Sequence, residues 1–316
     1  MPVIALDLGA TKLAAALISD QGDVIFKTNT PLEKRQGTEV GKLILQQVNE
    51  LSGKAKENDL IVAALGICVP GIAYTKTGNV WAPNIPGWDD YPLLNELQRA
   101  INNTGIKIRI DSDRACYILG EVWKGNARGC SEAIFLAVGS GIGAGILVNN
   151  KVLRGSHDIG GAIGWMGLKR PYQEKYINCG DFEYNASGEG IVKVAKEMIS
   201  SGYYNDSKLA QIKFERLSAK DVFDALESGD ELSKQIIDNA IECWGIAVAN
   251  LVSLFNPEKI IIGGGVFGPA LKFLDAIYEE AGKWAQPISF RHVKLEGSAL
   301  GKDAGLYGAG YLALKD

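Results

Sequence analysis

The sequence predicts an α/β protein with two related lobes and mixed β-sheets. Residues 4–18 and residues 134–148 each contain two short apolar segments around a turn of small residues, which is the pattern of two paired strands. A helix-compatible stretch and one further apolar strand follow each copy. Alternating strands and helices indicate the α/β class. A repeat at about half the chain length favours two lobes over a solenoid, whose repeats are about 20–50 residues long.

The first lobe begins with a predicted β-meander. The two strands of residues 4–18 are followed by the turn signal at 20–23, which leads into a third strand. Residues 39–51 then have a helix-compatible pattern, and 61–67 form an apolar strand. These elements predict a small sheet with a helix packed against it.

The second lobe repeats this plan. After the strands of 134–148, the polar turn at 149–151 leads into another apolar stretch. A long helix is predicted over 233–255 and a strand over 259–263. The lobes are therefore assigned to residues 1–115 and 116–302, and we expect a C-terminal helix within 303–316 to complete the first lobe.

Composition and charge exclude several classes of protein. The 316 residues are enough for two domains with separate cores, and the net charge of −4 comes from interspersed acidic and basic residues. A nucleic-acid partner is not expected, because such proteins carry a basic surface. The N-terminus enters a strand pattern at once, and no apolar run of membrane-spanning length is apparent, so we predict a cytoplasmic protein without a membrane partner.

The cysteines and histidines limit the chemistry further. Five widely spaced cysteines, an odd number, are typical of buried free thiols in a reducing compartment. With two histidines and no closely paired cysteines, a zinc site of standard spacing is not predicted. The residues are Cys68, Cys116, Cys130, Cys179, Cys243, His157 and His292.

The first turn has the residues of a phosphate-binding site. Gly9 permits close backbone approach, and Thr11 and Lys12 can donate hydrogen bonds. Asp7 can hold a magnesium ion through water. The alternative is an ordinary hairpin with an exposed aspartate and lysine.

The second turn, in the repeated copy, contains Gly139, Ser140 and Gly141. Its backbone N–H groups can surround anionic oxygens. A strand follows the turn, whereas the dinucleotide fingerprint requires a helix and a different glycine spacing. The alternative is a tight hairpin between strands of small residues.

A third glycine run, Gly263, Gly264 and Gly265, ends an apolar strand. Bare backbone there can lie against a base or a ribose. Close packing alone is the alternative. Together the three turns predict a nucleotide held between the two lobes.

The repeated meander and these three turns resemble the ROK family of bacterial sugar kinases and sugar-responsive repressors. The resemblance covers the whole chain and includes the segments 84–88, 113–121 and 304–309. It implies a two-lobed actin-like ATPase (ribonuclease H-like) fold, ATP and Mg²⁺ as cofactors, a homodimer, and phosphorylation of a sugar or polyol. In the repressor branch a DNA-binding domain precedes the body, whereas here the phosphate motif begins at Asp7. We therefore expect the kinase branch and no nucleic-acid partner.

The resemblance also implies a catalytic base. The family's Asn-Asp-Ala-Asn motif matches residues 112–115, so Asp113 is the predicted base and Ser112 stands in place of a sugar-binding asparagine. A carboxylate that accepts the proton of the attacking hydroxyl is what phosphoryl transfer requires of the protein's side chains. Asp111 is a competing carboxylate that only the resemblance ranks below Asp113.

The sugar-binding segment departs from the family pattern. The family's Ala-Gly-Glu-x-Gly-His is replaced by residues 160–165, so that Ala162 and Trp165 stand where the glutamate and histidine are usual. We predict a remodelled pocket in which Trp165 stacks on a sugar ring; alternatively, Trp165 fills core space. Asp158 and Asn84 are predicted substitute ligands.

The family's zinc-binding stretch is also shortened. Residues 178–183 retain one of the three cysteines, and the resemblance therefore implies that structural zinc is absent. Glu183 matches a retained sugar-binding glutamate, although a carboxylate favoured at a helix N-terminus is an alternative reading.

These observations predict an ATP-dependent sugar kinase. Two alternatives stay open. One is a catalytically silent sugar- or nucleotide-binding regulator, since the sugar-binding pattern is altered, and the other is an actin-like ATPase that drives assembly or partner release.

Overall fold

A computed structural model describes residues 1–102 and 105–315 of the chain. The strands are β1 Val3–Leu8, β2 Lys12–Ile18, β3 Val24–Pro31, β4 Ala64–Val69, β5 Ile72–Ala73, β6 Val80–Trp81, β7 Lys107–Ser112, β8 Ala133–Val138, β9 Ile142–Val148, β10 Lys151–Val152, β11 Lys259–Gly263 and β12 Lys294–Gly297. The α-helices are α1 Thr38–Glu57, α2 Leu93–Ile101, α3 Asp113–Lys124, α4 Asp181–Ala186, α5 Gly188–Ser200, α6 Ala219–Glu227, α7 Glu231–Phe255, α8 Leu274–Gly282, α9 Pro287–Phe290 and α10 Ala304–Leu314.

The predicted α/β class with mixed sheets is confirmed. One five-stranded sheet has the order β3-β2-β1-β4-β7, and the other has the equivalent order β10-β9-β8-β11-β12. In each sheet a central strand pairs antiparallel with the strand that follows it and parallel with a later strand, as β1 does with β2 and β4. The internal repeat in the sequence is therefore a repeat of sheet topology.

The first compact unit comprises residues 1–129, 152–160 and 299–316. It extends beyond the predicted boundary at residue 115, which lies inside α3. The reason is that α3 packs against α10, and α10 in turn packs against β1 and β4. The predicted segment 303–316 contains α10, although Asp316 lies outside the described residues.

Both faces of the first unit's sheet are covered. β1 is buried along most of its length, as expected for a central strand with helices on both sides. One face packs with apolar residues of α1 and α2, and the other packs with α3 and α10. This double cover fixes the carboxyl ends of β1, β4 and β7.

The second unit comprises residues 130–151 and 161–298. Its core contains α7, whose N-terminus is capped by Asp230 and whose C-terminus ends at Asn256 in the left-handed conformation. By length and composition α7 is long and apolar enough to cross a membrane, which the sequence analysis did not anticipate. However, 61% of its most apolar window is buried inside the protein, as expected for a core helix.

Candidate functional site

The first phosphate turn connects β1 and β2 in the first unit. Asp7 stands near the end of β1, in register with Ala14 of β2 and Cys68 of β4. The Gly9 N–H donates to the Lys12 carbonyl over 2.9 Å and closes the turn. Thr11 and Lys12 are exposed there. The turn thus presents its backbone and a cationic side chain to solvent next to a largely buried carboxylate.

Asp7 has an unusual electrostatic environment. Burial raises its pKa from 3.8 to about 6, a hydrogen bond with Cys68 opposes this rise, and the negative charge of Asp113 adds to it. A Cβ on Gly305, at the start of α10, would lie 2.6 Å from an Asp7 carboxylate oxygen. Glycine there makes room for the carboxylate.

Cations surround a small cavity beside this turn. The cavity, of about 110 Å³, is lined by Asp7, Asp303 and three lysines, namely Lys12, Lys27 and Lys302. The Lys27 ammonium pairs with the Asp303 carboxylate at 2.7 Å. Such a set suits bound phosphate oxygens together with a hydrated divalent cation.

Ser112 and Asp113 lie where β7 ends and α3 begins. The Ser112 hydroxyl accepts a hydrogen bond from the Ala115 N–H and caps the helix. Asp113 is the first helical residue, and its carboxylate accepts from the Arg114 N–H at 2.8 Å. Burial raises the pKa of Asp113, and the Arg114 charge opposes that rise. Ser112, predicted as a sugar ligand, is therefore engaged as a helix cap.

The structure separates the two competing carboxylates. Asp111 is buried, forms an ion pair with Arg154 and accepts from the Ser112 N–H at 2.9 Å. Among residues 1–102 and 105–315, Asp113 forms no ion pair. Asp111 is thus paired with a cationic side chain, whereas the Asp113 carboxylate is bonded to the Arg114 N–H.

The two predicted substitute ligands of the first unit differ. Asn84 is exposed in the loop that follows β6. Asp158 has a positive φ of 57°, and its two carboxylate oxygens accept hydrogen bonds from the Thr75 N–H and hydroxyl at 3.1 and 2.9 Å. Asp158 is therefore committed to holding Thr75.

In the second unit, the glycine-rich turn between β8 and β9 meets the N-terminus of α5. The Gly188 N–H donates to the Gly139 carbonyl at 2.8 Å, and the Glu189 N–H donates to the Ser140 carbonyl at 3.3 Å. Ser187 caps α5. The positive end of the helix dipole is thus placed beside the turn, which favours anions.

A cavity of about 910 Å³ opens beside this turn, entirely within the second unit. Its size lies within the range of about 300–1,000 Å³ for ligand pockets. Apolar side chains and lysines form its walls, together with glycines that leave backbone exposed. Lining residues include Gly139, Ser140, Gly188, Val192, Lys193, Lys196, Leu217, Lys220, Phe223, Gly265, Val266 and Pro269.

Most of these lining residues were missed by sequence reasoning. Of the predicted nucleotide-binding glycines, only Gly139 and Gly265 line this cavity, together with Ser140. The walls from α5, α6 and Pro269 have no motif of their own. An amphipathic helix pattern identifies α5 and α6 as helices but does not reveal that they face a cavity.

The third glycine run divides into packing and lining residues. Gly264 has a φ of 101°, and a Cβ on it would lie 2.4 Å from the Val138 carbonyl oxygen. A Cβ on Gly263 would meet Phe135 at 2.5 Å. By contrast, Gly265 has no atom within 4 Å of an added Cβ. The packing explanation therefore holds for Gly263 and Gly264, whereas Gly265 leaves space in the cavity.

Glu183, in α4, contacts the same glycine-rich turn from another side. Its carboxylate accepts from the Ile142 N–H at 2.7 Å, and a Cβ on Gly141 would lie 2.6 Å from one carboxylate oxygen. Burial raises the pKa of Glu183, and the Ile142 hydrogen bond lowers it. Gly141 is thus required for close packing of Glu183 on the turn.

Trp165 is exposed. It ends a short 3₁₀ turn over Ile163–Trp165, and 59% of its surface remains accessible. The alternative in which Trp165 fills core space is therefore wrong. Large exposed aromatic side chains are typical of binding surfaces.

Hydrogen bonds to Asp181 hold the loop that follows Trp165. The Asp181 carboxylate accepts from the N–H groups of Leu168 and Lys169 at 2.7 and 2.8 Å, and from the Asn185 amide at 2.7 Å. Cys179 is buried. Among residues 1–102 and 105–315, no group of three or more His, Cys, Asp or Glu is arranged to hold a metal ion.

Known proteins match this chain along almost its whole length. The model of the ROK family matches residues 3–316. A glucokinase of Halalkalibacterium halodurans is 32% identical over 98% of this chain and 94% of its own length. A xylose repressor of Caldicellulosiruptor bescii is 28% identical over 99% of this chain and 78% of its own length.

A solved structure provides a comparison of folds. The ROK family glucokinase from Streptomyces griseus, in complex with glucose and AMPPNP, is 25% identical, and each chain covers 100% of the other with a TM-score of 0.78. The actin-like ATPase fold predicted from the sequence is thereby confirmed. With the family model matching almost every residue, this chain belongs to the ROK family.

Proposed function

We propose that this protein is an ATP-dependent kinase that phosphorylates a hydroxyl of a sugar or sugar-like small molecule. The observation that carries the proposal is the cavity of about 910 Å³ bounded by the Gly139–Ser140 turn, the α5 N-terminus and Gly265. It combines apolar walls for a base with a glycine turn and a helix N-terminus for anionic groups. The glucokinase relatives support the reaction class.

The residues predicted to bind phosphate would hold ATP and its magnesium ion. Gly9, Thr11 and Lys12 of the first turn and Gly139, Ser140 and Gly141 of the second would hold the ATP phosphates. Bound Mg²⁺ would offset their negative charge, with Asp7 holding it through water. Asp7 fits this role because it lines the small cavity beside Gly9 and Lys12. Lys27 and Lys302 add positive charge in the same cavity.

Asp113 is the proposed general base. The proton of the attacking hydroxyl would pass to its carboxylate, for which the raised pKa improves proton acceptance. Its position at the first turn of α3 stabilises the ionised form. Ser112, Asn84, Trp165 and Glu183 would contact the sugar, with Ser112 also capping α3. Asp158 is a weaker candidate because Thr75 occupies both of its carboxylate oxygens.

A catalytically silent regulator is the second candidate. The altered positions Ser112, Ala162 and Trp165 favour it, and a relative of this chain is a xylose repressor. In this case the protein would bind a sugar and a nucleotide without turnover.

An ATP-coupled assay over hexoses, amino sugars, pentoses, disaccharides and polyols distinguishes these functions. Sugar-dependent ADP formation with a phosphorylated sugar product is expected for the kinase. Sugar binding by calorimetry without ADP formation would instead support the regulator, and ATP hydrolysis that is equal with and without sugar would support an assembly ATPase. Either of these two results would overturn the kinase proposal.

A further inference from the structure

The first unit contains a second, larger polar cavity, lined by neither Asp113 nor the phosphate turn. Its volume is about 340 Å³, which lies within the range of about 300–1,000 Å³ for ligand pockets. The side chains that line it are polar or aromatic with a polar end, among them Tyr74, Lys76, Asn79, Asp90, Ser156 and His157. They come from the β5–β6 hairpin, the loop before α2 and the segment 156–158.

Hydrogen bonds hold these walls in place. Asp158 binds Thr75 through both carboxylate oxygens and so joins the segment 156–158 to the hairpin. The Asn79 amide donates to the Asp90 carboxylate at 2.8 Å, and the Tyr74 N–H donates to the Asn79 carbonyl at 2.9 Å. The cavity is therefore formed before any ligand binds, which lowers the entropy cost of binding.

Both walls follow residues that are bonded to side chains within two positions of Asp113. The Arg114 guanidinium donates to the Gly71 carbonyl at 3.1 Å, just before the hairpin. Arg154, two residues before Ser156, forms the ion pair with Asp111. At about 3.3 Å per extended residue, the three residues from Gly71 to Tyr74 span at most about 10 Å. Both walls of the cavity are thus tied to residues that flank the proposed base.

The lining suits a neutral, polyhydroxylated ligand. The lining carries one ammonium group, that of Lys76, and two carboxylates, which accept hydrogen bonds from Asn79 and Thr75. Asn79 and His157 can donate to and accept from hydroxyl groups, Asp90 can accept from them, and Tyr74 adds an aromatic face. An anionic ligand would meet two carboxylates against a single ammonium group, so a sugar acid or a sugar phosphate is disfavoured.

We propose that this cavity binds the second glycosyl unit of a disaccharide or glycoside whose other ring carries the attacking hydroxyl. This inference rests on the proposed kinase function and specifies its substrate class. It assigns His157 and Asn79 to the recognition of the second ring, and it leaves the transfer chemistry to Asp113.

The test compares glucose with cellobiose, maltose and sucrose in the ATP-coupled assay. We expect at least one disaccharide to exceed glucose in kcat/KM by about tenfold, through a lower KM. His157→Ala and Asn79→Ala should each lower kcat/KM for that disaccharide by about tenfold and leave glucose turnover within about twofold. His292→Ala, which replaces the chain's other histidine outside this cavity, is the matched control and should change neither.

Two outcomes would overturn the inference while the kinase proposal stands. In one, glucose is phosphorylated and no disaccharide is preferred; in the other, His157→Ala lowers glucose and disaccharide turnover equally. If no sugar is phosphorylated, the kinase proposal fails. Calorimetry with the same disaccharides then tests whether the cavity binds a second glycosyl unit. If the wild type binds a disaccharide and His157→Ala weakens that binding by about tenfold, the second subsite is supported. If the wild type and His157→Ala bind it equally, or neither binds it detectably, the second subsite is refuted.

Discussion

Asp111 and Asp113, two residues apart, have different surroundings. Asp111 is buried against Arg154, whereas Asp113 begins α3 with its carboxylate bonded to the adjacent backbone N–H. Each carboxylate accepts from the next backbone N–H, so the pairing of Asp111 with Arg154, 43 residues away, is the long-range difference between them. The contrast leads to a pair of variants.

Asp113→Asn should lower kcat by about 10²–10⁴-fold, because it removes the proton acceptor and leaves the phosphate-binding turns intact. ATP affinity should stay within about twofold of the wild type. Steady-state kinetics and nucleotide titration measure the two effects. Unchanged turnover in this variant would contradict the assignment of the base.

Asp111→Asn is the matched control. It leaves Arg154 without its counter-charge, so a loss of about 1–3 kcal/mol in the free energy of unfolding is expected. Turnover per folded molecule should change by less than about tenfold. A larger fall in kcat for Asp111→Asn than for Asp113→Asn would reverse the roles of the two residues.

The ionised, buried carboxylate of Asp7 destabilises the folded protein at neutral pH. Its folded-state pKa of about 6 lies above the ordinary value of 3.8, so between these values the folded state binds more protons than the unfolded state. Stability therefore falls as pH rises through this window, and the full cost is present above it. Asp7→Asn should raise the free energy of unfolding by about 1–3 kcal/mol at pH 8 and by less at pH 5, while ATP turnover falls.

Urea unfolding at the two pH values, combined with kinetics, measures this trade-off. Lys12→Gln is a useful comparison, because it alters the same turn without removing a buried carboxylate. A stability gain for Asp7→Asn that is equal at pH 5 and pH 8 would show that burial of the charge is not the cause.

At the scale of elements, the glycine run after β11 shows that adjacent identical residues have distinct structural requirements. Gly264 needs its positive φ and close approach to Val138, whereas Gly265 borders open cavity. The strand end and turn are readable from the sequence, but the space beside each glycine is not.

Gly265→Val should weaken AMPPNP binding by about tenfold or more, since the added side chain enters the cavity, and stability should change by less than about 0.5 kcal/mol. Gly264→Ala should instead lose about 2–4 kcal/mol of stability, because alanine at this φ is strained and its Cβ meets the Val138 carbonyl. Calorimetric titration and urea unfolding test both. Normal AMPPNP affinity in a folded Gly265→Val protein would exclude the cavity as the nucleotide site.

Two tryptophans, the exposed Trp165 of the 3₁₀ turn and the buried Trp244 of α7, allow a second comparison. Trp165→Ala should change stability by less than about 0.5 kcal/mol and raise the KM for sugar by about tenfold if the ring stacks on the substrate. Trp244 is fully buried in α7 and donates to the Ala186 carbonyl, so Trp244→Ala should cost about 3–5 kcal/mol. An unchanged sugar KM in Trp165→Ala would remove Trp165 from the substrate site.

At the scale of the whole molecule, the C-terminal helix belongs to the unit that begins the chain. α10 packs on α3, β1 and β4, and its glycines permit a close approach of the helices. A Cβ on Gly308 would lie 1.8 Å from the Cys116 carbonyl oxygen of α3. The fold of the first unit therefore depends on residues about 300 positions apart in the sequence.

Gly308→Ala should lower the free energy of unfolding by about 2–4 kcal/mol, because α10 must move away from α3. Gly53→Ala, at an exposed position of α1 with no atom near an added Cβ, should instead stabilise by about 0.5–1 kcal/mol. Thermal and urea unfolding compare the two. Equal effects of both substitutions would show that the packing of α10 on α3 is not what limits Gly308.

The sequence by itself determined the class of fold, the internal repeat and the positions of the glycine turns. These features depend on the two-residue period of strands and on backbone freedom at glycine, both of which are local. The resemblance to a family added an expected base, and the family itself is confirmed. The roles of Asp113 and Glu183 stay predictions.

Only the tertiary structure decided which side chains are free and which are engaged. It paired Asp111 with Arg154 and Asp158 with Thr75, exposed Trp165, and built the large cavity from α5, α6 and Pro269. These contacts join residues far apart in the chain, and no local pattern encodes them. The physical reason is that a side chain's partners depend on how whole elements pack, whereas a strand or a turn depends on its own few residues.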